Sequence, residues 1–365
     1  MEKVGFITMI ILFLIVLAMS AYLIAISPGK PIPLRGHDGK TIAGSLSEKV
    51  FIEVQGIRQG MFIQSTNTDN PVLLFLHGGP GMPEYFLTRD YPTGLEEDFT
   101  VCWWDQRGAG LSYDTSIPPE TMTAEQYVKD TIAITNYLRD RFCKGKIYLM
   151  GHSWGSYIGL LTARAAPELY HAYIAIAQIS HQLASENLTY QYMLEKYREQ
   201  NNYPMVRKLE KSPVTMTLPL PEPYMRIRDK AMHNLGIGTT HDMKSVIRGI
   251  FIASLLNREY TIQEKVHIWR GKKFSKSFHL WDTMQAMDFS YELTEVRMPV
   301  YFLHGIYDHT VSFTEAKSYF EKLKAPTKGF YSFEHSAHSP IFEEPDKVRH
   351  ILTENVLLGI TPLAD

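Results

Sequence analysis

The chain has 365 residues, 45% hydrophobic and 21% charged, far from the low-hydrophobicity, high-charge signature of disorder. A formal net charge of −2, with no long like-charge run and no basic stripe interleaved with aromatics, gives nucleic-acid binding no support. Two cysteines, Cys102 and Cys143, give neither a disulfide framework nor a metal spacing, and both read as small buried hydrophobes.

In chain order, a short flank (1–4) precedes an uncharged, almost wholly apolar stretch at 5–26. At about 1.5 Å rise per residue it spans a hydrocarbon core of roughly 30 Å. A cleaved signal peptide is the alternative, with Ala18 and Ser20 as small residues at a cleavage site. The apolar run continues past them to Ile26, which favours a single-pass anchor. Lys3, offset by Glu2, precedes the helix, and Lys30, Arg35 and Lys40 follow it. That balance leans towards a cytoplasmic body, but leaves the side open.

Residues 27–44 are rich in Pro and Gly and read as a linker. KVFIEVQGIRQGMFIQS, with alternating runs around Gly56 and Gly60, predicts a β-hairpin. Apolar runs at 71–79, 99–108, 146–155, 171–178, 298–305 and 329–334 predict strands buried on both faces of a parallel sheet. Between them, a helix is expected from Thr123 to Arg141, with Thr123 as its cap. Further helices are expected after Gly155, at 312–324 and from Pro345 to Leu358. Residues 181–296 break the rhythm: they are Met-, Tyr- and Lys-rich, with helical spacing and no clear strand. The expected organisation is a mostly parallel, doubly wound α/β sheet built from 45–180 and 297–365, carrying a helical insertion.

Gly151-His152-Ser153-Trp154-Gly155 closes one predicted strand and opens a helix, the setting of a nucleophile elbow. A serine hydroxyl needs a base, and the base needs a carboxylate to fix its tautomer. Asp308, just past the strand YFLH, and His338, just past GFYSF, fall at the same sheet edge as Ser153 and in the order Ser, Asp, His. His309 and His335 are the local competitors for the base, with His335 expected to pack or cap a turn. Asp346 and Glu343 are poorer candidates for the carboxylate. An oxyanion needs two N–H donors. Trp154 supplies one, and Gly79 in His77-Gly78-Gly79-Pro80-Gly81 the other, with Gly78 as the fallback because Pro80 has no N–H. Asp105 and Arg107 read as a structural brace for their loop.

HGGPG at 77–81, WDQRGAGLS at 104–112, GHSWGS at 151–156, HGIYD at 304–308 and SAHS around His338 together resemble the proline iminopeptidase branch of the α/β-hydrolases. The resemblance covers roughly 45–180 and 297–358. It implies an eight-stranded hydrolase sheet under a helical cap, with Ser153, Asp308 and His338 as nucleophile, carboxylate and base and Gly79 with Trp154 as the oxyanion hole. It also implies release of an N-terminal residue from a short peptide, with no metal or organic cofactor. Departures are His152 where the family usually has Gly, Met82-Pro83 where it has another glycine pair, and the N-terminal anchor. No cap segment matches the one whose glutamates hold the substrate amine. Glu186, Glu195, Glu199 and Glu222 are available, each reading first as a solvated face.

Tyr190, Tyr192, Met193, Met225 and Met232 read as packing between cap helices before they read as a pocket lining. Asn187-Leu188-Thr189 fits a glycosylation sequon. The leading expectation is an aminopeptidase acting through an acyl-enzyme on a short peptide. The alternatives are a carboxylesterase or lipase on small acyl esters, and a binding protein that keeps the fold without turnover. Haloalkane dehalogenase and epoxide hydrolase chemistry is disfavoured, because those relatives carry an aspartate where Ser153 stands.

Overall fold

The computed structural model describes residues 2–36 and 38–365. Met1 and His37 lie outside it, as do the side chains of Glu2 and Lys3, on which the charge balance ahead of the first helix rests. Eight strands form one sheet: β1 (Leu46–Val54), β2 (Ile57–Ser65), β3 (Val72–Leu76), β4 (Thr100–Trp104), β5 (Ile147–His152), β6 (Tyr170–Ile176), β7 (Val300–Gly305) and β8 (Lys328–Phe333). Their spatial order is β1-β2-β4-β3-β5-β6-β7-β8. β1 and β2 pair antiparallel through a turn at Gln55-Gly56, both with positive φ, as in a two-residue hairpin turn of type I′. Gly60 lies inside β2 opposite Phe51 rather than in a turn. A Cβ there would come 2.5 Å from that of Leu111, so the glycine admits the neighbouring loop.

The other six strands run parallel to one another, and helices cover both faces of the sheet. That double cover explains why their sequences are continuous apolar runs. In β3, Val72, Leu74 and Leu76 join one core cluster while Leu73 and Phe75 join the other. The chain leaves β3 for β4 on one side and returns across it to β5 on the other. The carboxyl ends of β3 and β5 therefore flank the crevice where the winding reverses.

The helix Ala124–Arg141 starts where its sequence predicts, with the Thr123 hydroxyl accepting from the Gln126 N–H at 3.2 Å. Just beyond its end Cys143 takes φ 51° and is exposed, so the expectation that both cysteines are buried fails at this left-handed exit. Cys102 is buried in β4, and burial pushes its thiol pKa up. The expected C-terminal helix is regular over Pro345–Ile351 and widens to a π-type turn over Leu352–Val356.

Between β6 and β7 the chain is helical. Gln182–Glu199, Tyr203–Glu210 and Glu222–Leu235 enclose a core of their own that includes Tyr190, Met193 and Met232, with Tyr192 and Met225 packed against it. These five tyrosines and methionines thus act as packing. Glu186 is not on a solvated face. It is buried, with Arg228 Nη2 at 2.5 Å from Oε1, Arg228 Nε at 2.7 Å from Oε2 and the Tyr224 hydroxyl at 3.0 Å. Glu195, Glu199 and Glu222 are exposed as expected, the last two paired with Lys196 and Arg226. The Asn187 amide of the sequon donates to the Val214 carbonyl at 3.0 Å.

The N-terminal helix Glu2–Ala25 stands off the body, and Val4–Ala25 is long and apolar enough to cross a bilayer.

Candidate active site

The elbow follows β5. Ser153 takes φ 55° and ψ −119°, a conformation that costs a non-glycine residue of order 1–3 kcal/mol. The flanking glycines explain how the turn fits. A Cβ at Gly151 would lie 2.3 Å from the Gly155 carbonyl oxygen, and one at Gly155 would lie 2.0 Å from that of Leu76. Gly78, just past β3, is equally confined: a Cβ there would meet the Ser153 Cβ at 3.3 Å and Glu84 Oε1 at 2.8 Å. The glycine loop therefore crosses directly over the serine.

Two backbone donors are free at this crossing. Trp154 is the first residue of the helix Trp154–Ala165, so its N–H has no partner one turn back. The Gly79 N–H has no acceptor among the described residues, whereas the Gly78 N–H is taken by Glu84 Oε1 at 2.8 Å. Gly78 is thereby removed as the fallback donor. Gln106 fixes the loop from beneath. Its side chain donates to the His77 carbonyl at 2.8 Å and accepts from the Trp154 indole at 3.0 Å. Its N–H donates to His77 Nε2 at 3.0 Å, and burial lowers the His77 pKa to about 4, so that ring is neutral. Nearby, Asp105 accepts from the Leu111 N–H at 2.8 Å, and Arg107 grips Asp130 at 2.6 and 2.9 Å. These side chains brace the loop, and burial pushes the Asp105 carboxyl up.

Asp308 and His338 come together: His338 Nδ1 is 2.9 Å from Asp308 Oδ2. Both are buried. Burial alone would push the Asp308 carboxyl up, but the imidazoles of His338 and His304 hold it far below the ordinary range, so it stays ionised. Burial lowers the His338 pKa against the pull of Asp308, which keeps the ring neutral and able to accept a proton. No hydrogen bond joins the Ser153 hydroxyl to His338 among the described residues; such bonds are often long before a substrate is bound.

His309 is not bonded to Asp308. Its ring stacks on Tyr192 with centroids 4.0 Å apart. His335 is exposed at the surface, where only its N–H is bonded, to Glu344, so the expected packing or capping by its ring is not found. Glu343 instead grips the backbone on either side of His338, accepting from Ala337 at 3.0 Å and Ser339 at 3.1 Å. Asp346 lies further on, in the first turn of Pro345–Ile351.

Three partners were not legible in the sequence. His304 Nε2 sits 3.0 Å from the Val311 carbonyl and 3.2 Å from Asp308 Oδ2, a second imidazole on the same carboxylate. His152 lies between Glu84, whose two oxygens are each 2.9 Å from its Nδ1, and the His338 carbonyl, 2.8 Å from its Nε2. Acceptors face both ring nitrogens, which requires both to carry protons. Burial works against the charge on each member of this pair. Even so, Glu84 holds the His152 pKa above the ordinary imidazole value, and His152 holds Glu84 below the ordinary carboxyl value. A Glu in a Pro-containing loop carries no signal of this pairing. The only hint was His152 at a position where the family usually has glycine.

A family model described as alpha/beta hydrolase fold matches residues 71–345, and the chain belongs to that family. Within it, the chain falls in the proline iminopeptidase-like branch. It is 32% identical over 309 residues to a probable aminopeptidase, YbaC, of Bacillus subtilis (strain 168), covering 83% of this chain and 94% of that protein. It is 30% identical over 118 residues to the proline iminopeptidase of Neisseria gonorrhoeae, covering 32% of this chain and 36% of that one. The proline iminopeptidase-related protein of Thermus thermophilus superposes with a TM-score of 0.60 at 20% identity, over 87% of this chain and 99% of its own.

Proposed function

We propose that this chain is a membrane-anchored serine hydrolase that cleaves an amide bond through an acyl-enzyme, as an aminopeptidase of the proline iminopeptidase type. The observation that carries this reading is the Asp308–His338 hydrogen bond at the edge of the sheet that presents Ser153 on a glycine-flanked, strained turn. Neutral His338 takes the Ser153 proton as Oγ attacks the carbonyl carbon, and Asp308 stabilises the imidazolium that forms. The N–H groups of Gly79 and Trp154 stabilise the oxyanion. Collapse of the tetrahedral intermediate breaks the C–N bond, and His338 returns the proton to the leaving amine. Water, deprotonated by the same imidazole, then releases the acid and restores Ser153. Similarity to the probable aminopeptidase YbaC of Bacillus subtilis over most of both chains supports the peptidase choice. The span Val4–Ala25 is the proposed anchor.

A second reading, a carboxylesterase on small acyl esters, is favoured by one observation. Of the cap glutamates Glu186, Glu195, Glu199 and Glu222, only Glu186 is buried, and Arg228 neutralises it, so it cannot serve as a free carboxylate for a substrate amine. Turnover of proline p-nitroanilide set against short-chain p-nitrophenyl esters separates the two. The aminopeptidase reading predicts release of nitroaniline; ester turnover alone contradicts it.

A further inference from the structure

The segment that follows the N-terminal helix is not a free tether. Ser27 is buried and its hydroxyl accepts from Lys265 Nζ at 2.6 Å. The Gly29 N–H donates to the Arg258 carbonyl at 3.2 Å, Pro28 bridges to Thr261, and the Ile32 N–H donates to Glu259 Oε1 at 2.8 Å. The anchor therefore leaves the body at the start of the helix Ile262–Lys276, and whatever surrounds that point is nearest the bilayer.

What surrounds it is apolar and basic. Ile247, Phe251, Ile252, Ile262 and Val266 are all exposed, Ile247 by 67%. Ile262, Val266 and Trp269 recur at the spacing of one helix face, and Trp269 packs edge-on against Phe251 with centroids 5.1 Å apart. The two neighbouring helical segments thus present a joint surface. Residues 244–276 hold eight Lys and Arg, of which Lys265 is buried on Ser27, against two acids, Glu259 and Glu264. Both acids are occupied: Glu259 accepts from the Tyr85 hydroxyl and Glu264 pairs with Lys49. A helix with Ile, Val and Trp on one side and Lys and Arg beside it has the composition of an element lying in a membrane interface, with anionic headgroups as the complement of its charge.

We propose that the surface formed by Ile247–Ile252 and the first turns of Ile262–Lys276 rests on the anionic lipid surface of the bilayer that holds the N-terminal helix. The proposal depends on that helix being a retained anchor. It has a consequence for the site, because the same helix packs against the glycine loop. A Cβ at Gly271 would lie 2.6 Å from the Gly108 carbonyl, and one at Gly81, in the glycine loop, would lie 2.3 Å from Ser275 Oγ. Lipid contact and packing on the glycine loop therefore lie at two ends of one helix.

The test uses the full chain reconstituted in vesicles of phosphatidylcholine with and without phosphatidylglycerol. Nitroxides are placed by Phe251→Cys, Leu14→Cys and Tyr291→Cys, each in a Cys143→Ser background, since Cys102 is buried. Tyr291 is 83% exposed and serves as the aqueous control. Relaxation by oxygen relative to a water-soluble nickel chelate is expected to be several-fold higher at position 251 than at 291, and to fall when phosphatidylglycerol is omitted. Equal ratios at 251 and 291, with position 14 in lipid, overturn the proposal and leave the anchor standing. Shielding of 251 that follows protein density instead of phosphatidylglycerol identifies a second copy as the cover and overturns it too. A position 14 label in water removes the anchor, and the proposal with it.

Discussion

The carboxylate of Glu84 meets Nδ1 of His152 with both oxygens at 2.9 Å, while the opposite nitrogen of the same ring lies 2.8 Å from the carbonyl of His338. One charged pair thereby joins three loops: Glu84 also holds the Gly78 N–H, His152 precedes Ser153, and His338 follows β8. In the proposed mechanism His152 and Glu84 are positioning residues, since neither touches the reacting atoms.

That geometry fixes a pH prediction. Burial keeps the His338 pKa below the ordinary imidazole value, and the nearby His152 and His304 rings work in the same direction against Asp308. The acid limb of kcat/KM for the wild type should therefore lie below about pH 6.5. In His152→Gln a cation is lost beside His338, which raises the His338 pKa, so the base stays protonated to higher pH and the limb moves up. Misplacement of the His338 loop should also lower kcat by roughly 10²-fold. A pH–rate profile checks both; an unmoved limb would mean that the pair only packs.

Asp308→Asn should leave the fold intact and lower kcat by roughly 10⁴-fold, because an amide can hold His338 in the wrong tautomer and cannot stabilise its cation. Single-turnover kinetics with circular dichroism of the same samples measure this. Loss confined to KM would contradict the assigned role.

Glu186→Ala should act on stability. It strands the buried Arg228 guanidinium, at a cost of about 3–5 kcal/mol. Under permissive conditions KM for an N-terminal substrate should be unchanged, since Arg228 already occupies both Glu186 oxygens. Denaturant unfolding and KM on proline p-nitroanilide separate this from a direct role in binding the amine.

A smaller effect is expected at Thr123. Its hydroxyl caps the helix that carries Asp130, the partner of Arg107. Thr123→Ala should cost about 1 kcal/mol, read as a shift in the urea midpoint with kcat unchanged.

Much of this fold is legible in the chain because β3 to β8 are buried on both faces and read as unbroken apolar runs. Thr123 was legible as a cap from its spacing to Gln126, a contact made within one turn. The pairing of Asp308 with His338 is legible because adjacent parallel strands bring their following loops to one edge. Contacts between groups distant in the chain were not legible. Glu84 and His152 are 68 residues apart, and Glu186 and Arg228 are 42 apart. A glutamate in a loop or on a helix has the same local pattern whether it faces water or a buried cation. The exposure of Cys143 is not legible, because an apolar neighbourhood in sequence does not show that the helix has ended in a left-handed turn.

The most direct measurement is covalent labelling with a fluorophosphonate, located by peptide mass spectrometry. The account predicts a single adduct on Ser153, abolished in Ser153→Ala together with a fall in kcat of roughly 10⁴ to 10⁶-fold, and slowed as pH falls through the His338 titration. Folded protein that takes no label at Ser153, or Ser153→Ala that retains full turnover, would contradict it.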